Sequence, residues 1–343
     1  MTGRVEDRVL DVEGLSVELD LPAGTLHAVS DVDLHVDRGE TLCVVGESGC
    51  GKTITALSIM GLLPRKARMS ARRLTLQGRD LLTMKRRELD SLRGDRMGMI
   101  FQDPMTSLNP VYTIGNQMEE IYIRHNKGGR KEARERAEHL LHKVGITAAK
   151  SRLGQYPHQL SGGLRQRVMI AMTLMCDPIL IIADEPTTAL DVTIQAQILR
   201  ILAELQSEFR MALVLITHDL GVVARMADRV LVMYAGQVVE TGTAEEVFNA
   251  PTHPYTQGLL DCIPIPGKTE RGARLGSIPG IVPSLMGALE GCQFRNRCSY
   301  AFAACGAAPV ALRDLAPGRS CRCLLEPSDS LANLKLKSAG VSA

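Results

Sequence analysis

One short segment near the start of the chain restricts its possible folds more than any other. Gly46 to Thr53 fits the pattern G-x-x-x-x-G-K-[ST], with the apolar run 41–45 before it and a helical pattern, 54–63, after it. A glycine-rich turn between a buried strand and a helix lets backbone N–H groups close around phosphate oxygens. The segment therefore predicts an α/β fold with a phosphate-binding loop made of Gly46, Glu47, Ser48, Gly49, Cys50, Gly51, Lys52 and Thr53.

Apolar periodicity divides the rest of the chain. Residues 8–40 alternate apolar and polar side chains as half-buried strands do, whereas unbroken apolar runs at 41–45, 179–183 and 212–216 fit strands buried on both faces. Residues 103–178 carry Lys-, Arg- and Glu-rich helical patterns. Prolines are frequent after residue 250, where we expect mostly loop, held by something other than a regular sheet.

Composition excludes several classes of protein. The net charge is +2 and aromatic residues make up 3% of the chain, with no Trp, so neither a basic field nor a stacking platform for nucleic acid is expected. No apolar run approaches the roughly 20 residues of a membrane span. The first residues carry acids and lack the apolar centre of a signal peptide. We expect a cytosolic protein with no nucleic-acid partner.

A second motif follows the apolar run 179–183, which ends in Asp184 and Glu185. With a phosphate loop upstream, Lys52 supplies a charge for the β- and γ-phosphates and the Thr53 hydroxyl can ligate Mg²⁺. Asp184 would hold Mg²⁺ through its water shell, and Glu185 would orient or deprotonate the attacking water. The competing interpretation is that the two carboxylates only cap the next helix.

A third motif is Leu-Ser-Gly-Gly-Leu-Arg-Gln-Arg at 160–167. Ser161 is a suitable N-cap for a helix running to about Met175, and Gly162 and Gly163 leave the helix N-terminus open to an anion. The competing interpretation is an ordinary capped helix. The motif, placed between the two phosphate motifs, resembles the signature sequence of ABC ATPases.

The resemblance to ABC ATPases covers about residues 8–250 and implies further roles. Gln102 matches the Q-loop glutamine, Ala189-Leu190-Asp191 resembles the D-loop, and His218 matches the switch histidine at the γ-phosphate. Catalysis is then expected of Glu185, His218 and Gln102. Mg²⁺ is expected at Thr53, Gln102 and Asp184, and ATP at the phosphate loop, Ser161, Gly162, Gly163 and Asp191.

The same resemblance implies the architecture and the partners. The fold would be a P-loop NTPase cassette over residues 1–250, with an antiparallel β subdomain, a helical subdomain at about 103–178, and a Cys- and Pro-rich extension over 251–343. Cassettes of this family dimerise head to tail, so a second cassette is expected, either a second copy or a related subunit. The family stacks adenine on an aromatic residue about 29 positions before the loop lysine, where this chain has Ala23, so loose base selectivity is expected.

Several stretches are similar to the ATP-binding subunits of dipeptide and oligopeptide permeases, namely 101–110, 160–172, 252–256 and 291–305. The expected partners are two membrane permease subunits and an extracytoplasmic solute-binding protein, at the cytoplasmic face of the inner membrane. Relatives import nickel chelates or opine-like compounds, which stay as alternatives. A soluble ABC ATPase of DNA repair or translation is the other alternative, although this chain lacks the usual coiled-coil insertion or second cassette. A cassette that only binds nucleotide is disfavoured because Lys52, Asp184, Glu185 and His218 are all present.

The C-terminal cysteines form a separate pattern. Some members of this permease family carry a [4Fe–4S] cluster here, and the positions match if Cys323 is the fourth ligand, with Cys321 as a competitor. Zinc and reduced structural thiols are the alternatives, but the tight C-x₂-C pairs frequent in zinc sites are absent. The expected ligands are Cys292, Cys298, Cys305 and Cys323.

Overall fold

The computed structural model describes residues 7–126, 128–188, 190–263, 276–287 and 290–326. Its strands are β1 (Arg8–Leu21), β2 (Gly24–Asp37), β3 (Thr41–Val45), β4 (Ala67–Ser70), β5 (Arg73–Leu76), β6 (Arg79–Asp80), β7 (Met97–Ile100), β8 (Leu180–Asp184), β9 (Ala212–Ile216), β10 (Arg229–Tyr234), β11 (Gln237–Thr243), β12 (Arg313–Ala316) and β13 (Arg319–Cys321). Its helices are α1 (Lys52–Ile59), α2 (Arg86–Leu92), α3 (Pro104–Ser107), α4 (Ile114–Asn126), α5 (Arg130–Lys143), α6 (Ala149–Arg152), α7 (Gly162–Thr173), α8 (Val192–Phe209), α9 (Leu220–Met226), α10 (Ala244–Asn249), α11 (Pro254–Asp261) and α12 (Ala304–Ala307).

The first sheet is antiparallel, in the order β2–β1–β5–β6, with β4 also paired to β1. The apolar residues of the predicted alternation are buried, since Leu10, Val12, Leu15 and Val17 all lie beneath this sheet. Together with α1 they form a core shared with the second sheet. The antiparallel β subdomain expected from the sequence is present.

The second sheet has the order β12–β13–β11–β10–β3–β9–β8–β7. Its strands run parallel from β10 to β7, and the pairs on the other side of β10 are antiparallel. The predicted apolar runs form β3, β8 and β9, each buried along its whole length. Alternate side chains enter opposite cores, as Cys43 and Val45 do on one face and Leu42 and Val44 on the other. A continuous apolar run is the pattern of a strand covered on both faces.

Helices α3 to α7 lie between β7 and β8 in the chain, in the stretch where the sequence predicts helices. Helix α5 buries Ala133, Ala137, Leu140 and Leu141 at the spacing of one helix face. Ala137, Leu140 and Leu141 join the core that lies under β3, β8 and β9. Among the described residues, no helix combines the length and apolarity needed to cross a bilayer.

The C-terminal part departs from the expectation of loop held outside a regular sheet. Strand β13 pairs antiparallel with β11 in the register Glu240↔Cys321 and Thr241↔Ser320, and β12 pairs with β13. The sequence prediction was wrong here because the two strands have four residues or fewer, too few to show a period. Strand β13 is held in place by its hydrogen bonds to β11, which comes much earlier in the chain, and β12 is held by its pairing with β13.

Candidate functional site

The glycine-rich loop connects the end of β3 to the start of α1 and lies against neighbouring backbone. Gly46 has φ +152° and Gly51 has φ +103°, conformations that favour glycine. A Cβ atom at Gly46 would lie 2.2 Å from the Met233 carbonyl oxygen, and one at Gly51 would lie 2.6 Å from that of Ala28. Both glycines are therefore required by space as well as by backbone conformation.

The Lys52 side chain closes this loop from within. Its Nζ atom donates to the carbonyl oxygens of Gly46, at 2.8 Å, and Glu47, at 2.9 Å, and the residue is buried. Lys52 is also the first residue of α1, so the ammonium group lies near the positive end of that helix. Ser48, Gly49 and Thr53 are exposed around it. The arrangement concentrates positive charge and N–H donors, which suits a polyphosphate.

Two oxygen groups meet beside the loop at the end of β8. The Thr53 hydroxyl donates to Asp184 Oδ1 over 3.2 Å. Burial raises the pKa of the Asp184 carboxyl, and the Thr53 hydrogen bond opposes that effect. Oxygen ligands of this kind are the ones that Mg²⁺ prefers.

Glu185 is the point at which three predicted motifs meet. Its Oε2 atom accepts from Gln102 Nε2 at 3.2 Å and from Thr188 Oγ1 at 2.9 Å, and His218 Nδ1 lies 3.3 Å from Oε1. Its backbone has φ +44°, uncommon for a residue with a side chain, and its N–H donates to the Ile216 carbonyl oxygen at 2.9 Å. Such conformations cluster at functional sites. The sequence reasoning missed Thr188, which lies three residues after Glu185 in the turn that follows β8.

The signature segment begins α7 at Gly162, with Ser161 at the N-cap position. The predicted N-cap position of Ser161 is confirmed, although its side chain makes no capping hydrogen bond. Ser161 and Gly162 are exposed, and a Cβ atom at Gly163 would lie 2.9 Å from Ile194 Cγ2, so α7 and α8 pack closely there.

Asp191 has a structural contact in addition to its place in the expected D-loop. Its Oδ1 atom accepts from the Ile194 N–H at 3.0 Å and caps α8. Leu190 packs against the core beneath the parallel sheet. Ala189, the first residue of that motif, lies outside the described residues.

The four cysteines predicted as ligands line one cavity, together with apolar and aromatic side chains. They are Cys292, Cys298, Cys305 and Cys323. Burial raises the pKa of Cys298 to about 11 and also raises the pKa values of Cys292 and Cys323. Cys321 is not among the lining residues; it lies buried in β13. Over the described ranges, no three His, Cys, Asp or Glu side chains are arranged to hold one metal ion.

The described residues beyond residue 250, called the C-terminal segment below, also contact the glycine-rich loop. The sequence reasoning missed this contact. The Arg297 guanidinium pairs with the Glu47 carboxylate inside the glycine-rich loop, and the Tyr255 hydroxyl accepts from the Glu47 N–H at 2.8 Å. One signal was available: an acidic side chain in an anion-binding loop calls for a compensating cation.

The turn between β1 and β2, where Ala23 is exposed, is bordered by the same C-terminal segment. Leu26 forms an isolated bridge with Met286, and the His27 N–H donates to the Leu285 carbonyl oxygen at 2.9 Å. The neighbourhood of the predicted base site thus includes residues from both ends of the chain.

Comparisons with known proteins agree with this arrangement. Residues 29–188 match the family described as ABC transporter, and residues 239–305 match the C-terminal region of oligopeptide/dipeptide transporters. The dipeptide transport ATP-binding protein DppD of Escherichia coli is 50% identical over 315 residues, which cover 92% of this chain and 96% of that protein. The oligopeptide transport ATP-binding protein OppD of Salmonella typhimurium is 48% identical over 315 residues, covering 92% and 93%.

Solved structures share the cassette fold. A dimeric post-hydrolysis state of an ATP-binding cassette bound to ADP and phosphate aligns with a TM-score of 0.61 and 26% identity, covering 68% of this chain and 98% of that one. A component of the CbiONQ transporter complex from Clostridium perfringens aligns with a TM-score of 0.60 and 30% identity, covering 71% and 92%.

Proposed function

The chain belongs to the ATP-binding subunits of ABC transporters, and we propose that it hydrolyses ATP to drive the import of dipeptides or oligopeptides through a membrane permease. The observation that carries the proposal is the convergence of Gln102, Thr188 and His218 on Glu185, beside the Thr53–Asp184 pair. Carboxylate, amide and imidazole groups brought together in this way can orient and deprotonate a water molecule that attacks a phosphate.

Each side chain of the site has a distinct role in this proposal. The loop from Gly46 to Thr53 binds the phosphates, with Lys52 turning from its two carbonyl partners toward the β- and γ-oxygens. Thr53 and Asp184 hold Mg²⁺, with Gln102 at its edge. Glu185 orients and deprotonates the attacking water, and His218 contacts the γ-phosphate.

A complete site needs a second cassette. Ser161 and Gly162 are exposed and Gly163 is partly exposed at the start of α7, available to an ATP molecule held by another subunit. Asp191 is at the start of α8, whose neighbouring residues Leu190 and Ile194 lie against Gly162 and Gly163. We assign residues 1–250 to the cassette and 251–343 to an extension that adds β12 and β13 to the cassette sheet. The further partners are two permease subunits and an extracytoplasmic solute-binding protein, with this chain at the cytoplasmic face of the inner membrane.

The assembled transporter, reconstituted with its solute-binding protein, gives the test. Dipeptides and oligopeptides should stimulate its ATP hydrolysis, and Lys52→Ala in this chain should abolish the stimulation. Stimulation by nickel chelates or opine-like compounds alone would overturn the assignment to peptides. Failure to co-purify with any permease subunit would favour a soluble ABC ATPase instead.

The cysteine cavity supports a second proposal, a resident [4Fe–4S] cluster held by Cys292, Cys298, Cys305 and Cys323. Four thiols around one cavity fit a cluster, since each thiolate binds a different iron and the sulfurs need not converge on one point as they do for a single ion. The cluster would supply the positive charge that keeps these buried groups as thiolates. A structural clamp is the simplest role for it.

Anaerobic purification followed by an absorption spectrum and an iron assay tests the cluster. Cys323→Ser should lose iron, whereas Cys321→Ser is the matched control, two residues away and outside the cavity, and should retain it. Colourless, iron-free wild-type protein would reject the cluster, and stoichiometric zinc in its place would favour a zinc site.

A further inference from the structure

An arginine of the C-terminal segment, Arg297, forms a paired contact with the nucleotide-binding loop. Nη1 and Nη2 of Arg297 donate to the two carboxylate oxygens of Glu47, at 2.6 and 2.9 Å, in the paired geometry that planar guanidinium groups favour. The remaining donors go to the carbonyl oxygens of Pro279 and Ile278 and to the Tyr234 hydroxyl. The Arg297 side chain is only 4% exposed, and its five N–H groups all have acceptors.

Glu47 is held at its backbone as well as at its side chain. Its N–H donates to the hydroxyl of Tyr255, a fully buried residue of α11, at 2.8 Å. Its carbonyl oxygen accepts from Lys52 Nζ at 2.9 Å. Residues from beyond the cassette therefore contact the position next to Gly46, and Glu47 connects them to the loop lysine.

The charge of Glu47 gives this contact a consequence for ligand binding. A carboxylate in a loop that receives a polyphosphate repels the incoming anion, and the repulsion is strongest where burial limits screening. Arg297 neutralises that carboxylate and fixes its direction. Without the arginine, the same side chain would carry an uncompensated negative charge beside the phosphates.

We propose that Arg297 is a positioning residue for nucleotide binding: it neutralises and orients Glu47, so that the phosphate-binding loop reaches its binding geometry only when the C-terminal segment is in place. The contact between Arg297 and Glu47 is physically connected to the cysteine cavity. Arg297 directly precedes Cys298, and Phe294, which lines the cavity, packs on Tyr234 and Tyr255. The inference holds whatever the cysteines bind.

A double-substitution cycle in the assembled transporter tests the proposal. Arg297→Gln should raise the KM for MgATP and weaken binding of a fluorescent ATP analogue about tenfold, with a much smaller change in kcat. In a Glu47→Gln background, where no carboxylate remains to be neutralised, the same substitution should change KM less than about threefold. Arg297→Lys, which keeps the cation and lowers the risk of misfolding, should fall between the wild type and Arg297→Gln.

Arg319→Gln is the control for general damage to the C-terminal segment. Arg319 is also largely buried, but its guanidinium holds the Ala250 carbonyl oxygen and the Thr252 hydroxyl, away from the glycine-rich loop. This variant should keep the wild-type KM. Equal effects of Arg297→Gln with and without the Glu47 carboxylate would overturn the proposal, as would an unchanged KM in both Arg297 variants. Since the readout is the KM for nucleotide, it is independent of which solute is transported.

Discussion

Replacing Glu185 by glutamine separates the charge of this side chain from its position in the site. The two side chains have nearly the same shape, and the glutamine oxygen still accepts from one side. With that oxygen kept toward Gln102 and Thr188, the loss is the single contact to His218, which costs about 1 kcal/mol, or roughly fivefold. Loss of a general base costs about 10²- to 10⁴-fold in rate, or roughly 3–5 kcal/mol. The chemical effect should therefore dominate.

The assay is steady-state ATP hydrolysis by the assembled transporter, with nucleotide binding measured in parallel. Glu185→Gln should lower kcat by about two to four powers of ten, retain ATP affinity, and accumulate the closed ATP-bound cassette dimer on size exclusion. Glu208→Gln, an exposed carboxylate paired with Lys143, is the matched control and should be unaffected. A kcat within about fivefold of the wild type would refute the assignment of Glu185 as the base, because hydrogen-bond loss alone accounts for that much.

Three further outcomes are expected. Gly46→Ala forces a methyl group onto a backbone carbonyl 2.2 Å away and should destabilise the protein by at least about 2 kcal/mol more than Gly39→Ala, which meets nothing within 4 Å, as urea midpoints would show. Burial lowers the pKa of His253 to about 3, so the unfolded chain binds the proton more tightly, and the free energy of unfolding should fall as pH drops from about 6.5, by up to about 1.4 kcal/mol per pH unit. His253→Asn, whose side-chain oxygen can replace Nδ1 as the acceptor that caps α11, should reduce that loss in urea titrations at several pH values. With Ala23 at the expected stacking position, kcat/KM for GTP should lie within about tenfold of that for ATP, since one aromatic stack is worth roughly 1–3 kcal/mol; a hundredfold preference for ATP would contradict this.

The sequence predicted those parts of the site whose signal lies within a few residues. The glycine-rich loop and the Asp184–Glu185 pair each follow a continuously buried strand, and parallel strands bring their carboxyl ends to one edge. That edge places Glu185 and His218 within contact distance although 33 positions separate their numbers. Because neighbouring parallel strands bring these residues together, motifs of a few residues were sufficient to predict that they meet.

The contact between Glu47 and Arg297 follows no such rule, and sequence reasoning could not find it. The two residues are 250 positions apart, and Arg297 lies in a short 3₁₀ turn whose direction depends on packing by Phe294 and Tyr255. Strand β13 escaped prediction for a related reason, because three residues acquire strand geometry only from pairing with β11. Where order is imposed by distant partners, local propensity carries little information.

The pairing of β13 with β11 has a consequence for the order in which the protein matures. Chains are synthesised from the N-terminus, so the strand that completes this side of the sheet emerges among the last of the described elements. Until it docks, β11 presents unpaired backbone groups along an open edge, a template for wrong pairing with other chains. Nascent or truncated protein lacking β13 should therefore be the species most prone to aggregation and proteolysis.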